Sequence, residues 1–296
     1  MHALVVAKEL VVQARGVRKA YGGTVAVDEL DLEMSRGEVL ALLGPNGAGK
    51  TTTVEIFEGY RRRDKGEVSV LGEDPERAGW AWRARRGIVL QDNQDVVDLT
   101  VAECVSHFAR FYPAPARPAD VIEQVGLAAK ADAYVRSLSG GQRRRLDVAL
   151  GIVGRPELVF LDEPTTGFDP EARRQFWDVV RDLTAEGTSV LLTTHYLEEA
   201  EALADRVAVV NRGRVVASGR PAELGGRQDA AAEVSWFGPD GWQRRSTDRP
   251  TALVRELEAA FGGEVPRLTV SRPSLEDVYL RLIGQSGDVG AEGALR

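Results

Sequence analysis

Short, almost wholly apolar runs alternate in this chain with longer stretches in which apolar residues return every three or four positions. Val39-Leu40-Ala41-Leu42-Leu43, Leu158-Val159-Phe160-Leu161, Ser189-Val190-Leu191-Leu192 and Val207-Ala208-Val209-Val210 are of the first kind. Runs of four or five residues without a polar face predict strands buried on both sides, as in a parallel sheet covered by helices. Leu10-Val11-Val12 opens a β-rich segment with turns at Gly22-Gly23 and Ser35-Arg36-Gly37. Val68-Ser69-Val70, Ile88-Val89-Leu90 and Arg214-Val215-Val216 read as further short strands. Helical spacing begins at about Thr100, through Val101, Val105 and Phe108, and Pro113, Pro115 and Pro118 break it. Another helix is expected from Val121 to Val125, and Ser139 opens a long arginine-bearing one. Residues 171–186 are amphipathic, and a Glu-rich helix follows His195. The order predicts an α/β core with a mixed sheet, a β-rich N-terminal part and a helical insertion at about 98–148.

The core is expected to span residues 9–224. Beyond Leu224, glycines, Gln228 and alanines suggest a linker, and 232–284 a small C-terminal α+β appendage. Residues 1–8 read as a loose leader and 285–296 as a disordered, glycine-rich tail. No internal repeat is evident.

Within this pattern, residues 44–51 read Gly-Pro-Asn-Gly-Ala-Gly-Lys-Thr, which fills every fixed position of a phosphate-binding loop. The apolar run before it and a helix starting at Lys50 supply the strand–loop–helix setting that the motif needs. Glycines let backbone N–H groups turn inward without a Cβ clash, and the helix N-terminus adds its positive dipole end. Gly44, Pro45, Asn46, Gly47, Ala48, Gly49, Lys50, Thr51 and the next residue, Thr52, are therefore the expected nucleotide-binding set. Lys50 would reach the β- and γ-phosphates and Thr51 would hold Mg²⁺. The strand 158–161 ends in Asp162-Glu163. A strand-end carboxylate suits Mg²⁺, so Asp162 is a metal and nucleotide candidate, and Glu163 is poised to deprotonate a water. Ser139-Gly140-Gly141, at another helix start, forms a second surface of backbone donors suited to an anion.

Composition narrows the function. A formal net charge of −7 argues against general nucleic-acid binding. The clusters Arg61-Arg62-Arg63, Arg83 with Arg85-Arg86, and Arg143-Arg144-Arg145 read as solvated faces. One cysteine, Cys104, permits no internal disulfide and fits a small core residue. No stretch approaches the ~20 apolar residues that span a bilayer. Lys8 and Glu9 interrupt the first apolar run, so no signal-peptide pattern is expected.

The phosphate loop, Leu138-Ser139-Gly140-Gly141-Gln142 and the strand ending in Asp162-Glu163, in this order, resemble the ATP-binding-cassette (ABC) ATPase family over about residues 9–224. The resemblance implies ATP and Mg²⁺ as ligands and several further site residues. Tyr21 resembles the aromatic that stacks on adenine. Gln91 resembles the glutamine that touches Mg²⁺ and senses a membrane partner. His195 resembles the switch histidine at the γ-phosphate, which makes Glu163, His195 and Lys50 the catalytic candidates. Residues 166–169 resemble the loop between subunits, with Phe168 where leucine is usual. The resemblance also implies a homodimer in which Ser139, Gly140, Gly141 and Gln142 of one copy close over ATP on the other.

Pro273-Ser274-Leu275-Glu276-Asp277-Val278-Tyr279-Leu280 and residues 191–205 resemble ATPase subunits of antibiotic and multidrug exporters, the daunorubicin-resistance-like group. This implies a separate integral-membrane permease and a peripheral place on the cytoplasmic face of the membrane. A soluble ABC ATPase acting on nucleic acid or ribosomes, and an importer subunit, are the alternatives. The chain has one cassette and an acidic balance, both of which disfavour the former.

Overall fold

The computed structural model describes residues 9–89 and 98–285. The chain divides after Ser218 into two units. In the first, β1 (Leu10–Tyr21) and β2 (Thr24–Ser35) form a long antiparallel hairpin. They are followed by β3 (Val39–Leu43), α1 (Lys50–Phe57), β4 (Lys65–Val70), the short α2 (Trp80–Arg83) and β5 (Arg86–Val89). Three helices come next: α3 (Val101–Ala109), α4 (Pro118–Gln124) and α5 (Gly140–Ile152). The unit closes with β6 (Leu158–Asp162), α6 (Pro170–Ala185), β7 (Ser189–Thr194), α7 (Leu197–Leu203), β8 (Arg206–Asn211) and β9 (Arg214–Gly219).

The six-stranded sheet has the order β5-β6-β7-β3-β8-β9, and the pairs from β5 to β8 are parallel. All five residues of β3 and all six of β7 are buried; the apolar ones follow from their unbroken runs, and Ser189, Thr193 and Thr194 of β7 are buried with hydrogen-bond partners. The sheet β2-β1-β4 shares one core with it: Val12, Leu30 and Met34 pack with Leu40, Leu42 and Phe160, and Phe57 of α1 joins them.

Most of the expected elements form, with instructive exceptions. Pro118 does not end a helix; it stands at the first position of α4, where its missing N–H has no partner to lose. The short α2 was not expected, since four residues give no measurable period. Its Trp82 is 1% exposed and donates from Nε1 to Val70 O at 2.7 Å. Thr100 caps α3 in a reciprocal box with Glu103. Cys104 is fully buried, and burial pushes its thiol up to about 11.

The second unit holds β10 (Ala232–Gly238), β11 (Gly241–Thr247), α8 (Pro250–Phe261), β12 (Thr269–Ser271) and α9 (Leu275–Gln285). Its antiparallel sheet, β11-β10-β12, packs Val234 and Trp236 against Leu253 and Leu257 of α8. The expected linker is folded: Arg227 donates to Pro273 O and Pro221 O, both at 2.9 Å. Gly225, with φ +62°, lies so near Val278 that a Cβ would meet its side chain at 2.5 Å. Ser274 and Asp277 cap α9, which runs through Gly284 to Gln285 and so into the expected tail. Residues 1–8 and 286–296 lie outside the described residues.

Candidate active site

The loop at residues 44–51 leaves β3 and enters α1, and its glycines are required by contact as well as by torsion. A Cβ on Gly44 would stand 2.3 Å from Val210 O, and one on Gly49 2.2 Å from Ala26 O. Gly47 and Gly49 have φ of +77° and +100°, which L residues rarely adopt. The loop wraps back so that Lys50 Nζ donates to Gly44 O at 2.7 Å and Pro45 O at 3.2 Å. Lys50 is 6% exposed. Burial lowers its pKa, and the charges of Glu163 and Asp162 oppose that fall. One supporting residue escaped the sequence reading. Gly213 donates to Ala48 O at 2.8 Å and accepts from Asp28 N at 2.9 Å, locking the loop to the β8–β9 turn. With φ +78° and backbone atoms at 2.8 Å from a would-be Cβ, it too must be glycine. The only local signal was a turn-like Arg-Gly pair between two strands.

The carboxylates emerge two strands away. Asp162 ends β6, and its Oδ1 accepts a very short hydrogen bond from Thr193 Oγ1 of β7. Glu163 has φ +43°, a left-handed conformation for a non-glycine residue. Its N–H is held by Thr193 O at 3.1 Å and Thr193 Oγ1 at 3.0 Å. Thr193 therefore fixes both acids, a role hidden in what read as a plain strand. Glu163 Oε1 lies 3.3 Å from His195 Nδ1, and Oε2 accepts from Thr166 Oγ1 at 3.4 Å. His195 follows the end of β7 and rests against Tyr196, with ring centroids 4.1 Å apart. Because β6, β7 and β3 are neighbours, the loop, both carboxylates and the histidine meet at the C-terminal ends of adjacent strands, where ligands bind in open α/β sheets.

The 139–142 segment behaves as a helix start. Ser139 Oγ accepts from Gln142 N at 3.3 Å, and Gln142 Oε1 accepts from Ser139 N at 3.1 Å. Gly140 has nothing within 4 Å of a would-be Cβ, so the helix end is open to an approaching group. Farther along α5, buried Arg144 donates to Asp162 O at 2.8 Å and Pro164 O at 3.1 Å. This ties the helix to the backbone of the acidic strand end. Tyr21 sits at the tip of the first hairpin with Arg61 Cζ 5.3 Å and Lys19 Nζ 5.4 Å from its ring centroid. Asp169 caps α6, and Phe168 meets Phe176 edge-on at 6.0 Å within the same chain. Gln91 lies outside the described residues.

These residues suit a polyphosphate and Mg²⁺. Gly44 and Gly49 leave no room for side chains, Lys50 is desolvated, and Thr51 is exposed at the first turn of α1. Among the described residues no group of three His, Cys, Asp or Glu could hold a metal alone. A Mg²⁺ here would share its shell between Thr51, Asp162 and phosphate oxygens, the usual preference of this ion.

Behind the site, Glu58 at the end of α1 is 6% exposed and its carboxyl is pushed up to about 7. Burial is the main cause; nearby Arg86 opposes it, and Asp162 adds to it. The folded chain thus holds a proton here that the unfolded chain, near 4.5, has released. This contribution to stability is full below about pH 4.5 and is lost as pH rises through about 7. Its size is on the order of 3 kcal/mol. Glu58→Gln should therefore be more stable than wild type at pH 8 by up to this amount, with a much smaller difference at pH 5. Urea unfolding at the two pH values would show it, and an equal effect at both would refute it.

The family model described as ABC transporter matches residues 27–166. Over 93% of its length the chain is 41% identical to the Nod factor export ATP-binding protein I of Cupriavidus metallidurans, covering 98% of that protein. The chain belongs to the ABC transporter ATP-binding family. A second family member, the daunorubicin resistance ATP-binding protein DrrA3 of Streptomyces coeruleorubidus, is 42% identical over 91% of the chain and 94% of its own length. Among solved ABC structures, cbiO1 from Clostridium perfringens matches with a TM-score of 0.67 and 26% identity, over 73% of this chain and 90% of that one. A dimeric ATP-binding cassette bound to ADP and Pi shares the fold, with a TM-score of 0.64 at 21% identity over 71% and 98% of the two chains. As an ABC family member the chain is a nucleotide-binding ATP hydrolase. None of its described helices is long and apolar enough to cross a membrane.

Proposed function

We propose that this ATPase powers a membrane exporter, acting as a homodimer attached to a separate integral-membrane permease. The observation that carries the reading is the convergence of the Lys50 loop, Asp162, Glu163 and His195 at the ends of three adjacent strands. Both named relatives are export or resistance proteins, which supports an exporter over an importer. The triphosphate lies on residues 44–52 with its γ end toward Lys50, and the adenine lies on Tyr21. Thr51 and Asp162, with Gln91 as the sequence resemblance implies, would hold Mg²⁺, whose charge would neutralise the phosphate oxygens. Glu163 takes the proton of the attacking water, and His195 orients Glu163 and the γ-phosphate. Ser139, Gly140, Gly141 and Gln142 of a second copy close the site with backbone donors. Through the permease the dimer sits peripherally on the cytoplasmic face.

Steady-state ATP hydrolysis by the purified chain tests the reading. Lys50→Ala should weaken ATP binding by roughly 1.5–3 kcal/mol, about 10- to 150-fold, because a charge-assisted contact to phosphate is lost. Titration with a fluorescent ATP analogue measures it. Unchanged affinity removes Lys50 from the site.

A further inference from the structure

Behind the two loops that present Glu163 and His195 lies a carboxylate with no part in the chemistry above. Glu199, in the first turn of α7, is wholly buried. Its surroundings come from three other elements: Thr194 at the end of β7, Thr165 in the loop after β6, and Trp177 and Arg173 from α6. Thr165 and Thr194 are also fully buried. Thr165 stands two residues from Glu163, and Thr194 immediately precedes His195. Burial pushes the Glu199 carboxyl upward, while Thr194, Thr165, Trp177 and the charge of Arg173 draw it back. Two threonine hydroxyls and an indole N–H are donors, and a carboxylate is the acceptor that can serve all three at once. The knot is slack: the Glu199 oxygens, Thr165 Oγ1, Trp177 Nε1 and Arg173 Nε complete no well-formed hydrogen bond among the described residues.

A second line of contact reaches the same place. Arg173 Cζ lies 4.7 Å from the Tyr196 ring centroid; that ring lies tilted against His195, whose Nδ1 faces Glu163 at 3.3 Å. An isolated buried carboxylate is costly to desolvate, and an apolar residue would fill the space at less cost. What a carboxylate can do here, and a leucine cannot, is offer one shared acceptor to both Thr165 and Thr194.

We infer that Glu199 is a positioning residue for ATP hydrolysis, holding the Glu163 loop and the His195 loop in mutual register through Thr165 and Thr194. The inference rests on the roles given above to Glu163 and His195. Small displacements of reacting groups cost far more in turnover than in binding.

The test is a comparison of kcat and KM on the full-length chain. Glu199→Gln keeps the volume but replaces one acceptor by a donor facing donors. It should lower kcat about 10- to 100-fold, with KM for ATP and the affinity for a non-hydrolysable analogue changed by less than about twofold. Trp177→Phe, which loses only the indole N–H, should show a smaller kcat loss of the same kind. A kcat within about twofold of wild type in Glu199→Gln overturns the inference, as does a kcat loss accompanied by equal loss of analogue binding. If Glu199→Gln does not fold, the kcat of Trp177→Phe decides by the same criterion. Absence of turnover in the wild-type chain would instead strike the underlying hydrolytic reading.

Discussion

Glu163→Gln is expected to abolish steady-state ATP turnover, by about 10²–10⁴-fold, while ATP still binds. The substitution is nearly isosteric. The backbone that places residue 163 is held by Thr193 at 3.0 and 3.1 Å, and those bonds do not involve the side chain. A glutamine can still meet Thr166 and His195, so the loop keeps its form. It cannot accept the proton of the water that attacks the γ-phosphate. If two chains clasp ATP between them, the blocked step should leave them clasped. Light scattering with ATP and Mg²⁺ should then report a dimer for Glu163→Gln and a smaller dimer fraction for wild type. Turnover within about tenfold of wild type would remove Glu163 as the base.

What made Glu163 legible was local. An apolar run ending in two acids is a strand delivering carboxylates to a sheet end, and β6 is that strand. The same logic found the Lys50 loop, because the run before it is buried throughout, Gly44 and Gly49 sit where contact allows no Cβ, and Gly47 takes a positive φ. The supports of the site were less visible because their partners are distant in sequence. Gly213 holds the phosphate loop from the β8–β9 turn, 165 residues beyond Ala48. Thr193 read as an ordinary strand residue, and Arg144 as part of a solvated basic run, although it is buried against the acidic strand end. Periodicity reports that a side chain is inside but not what it meets there. Glu58 and Glu199 show the limit most clearly: on helices, acids read as solvent-facing, and only the tertiary packing buries them. The supposed linker misled for the opposite reason. Its glycine-rich composition suggested freedom, but Gly225 is there because Val278 leaves no space for more.

Ser139→Arg is expected to eliminate hydrolysis while sparing ATP binding by a single chain. Ser139 is exposed, and its side chain serves the cap of α5 through Gln142. Losing that cap costs ~0.5–2 kcal/mol, and a cation at a helix N-terminus is unfavourable by a further few tenths. The helix should survive, because Leu146, Val148 and Ala149 bury its other face and Arg144 pins it to Asp162 and Pro164. Within one chain the phosphate loop and Lys50 are untouched. Across a two-fold pair, however, the arginine side chain would fill the space in which the partner's γ-phosphate must meet the backbone donors of Gly140 and Gly141. Turnover should fall to background, while titration of a fluorescent ATP analogue into the dilute protein should give wild-type affinity. Ser139→Ala separates the two effects, since it loses the same cap without filling the space: comparable loss of stability with retained turnover is the expected result. Retained turnover in Ser139→Arg itself would mean that one chain hydrolyses ATP without help from a second.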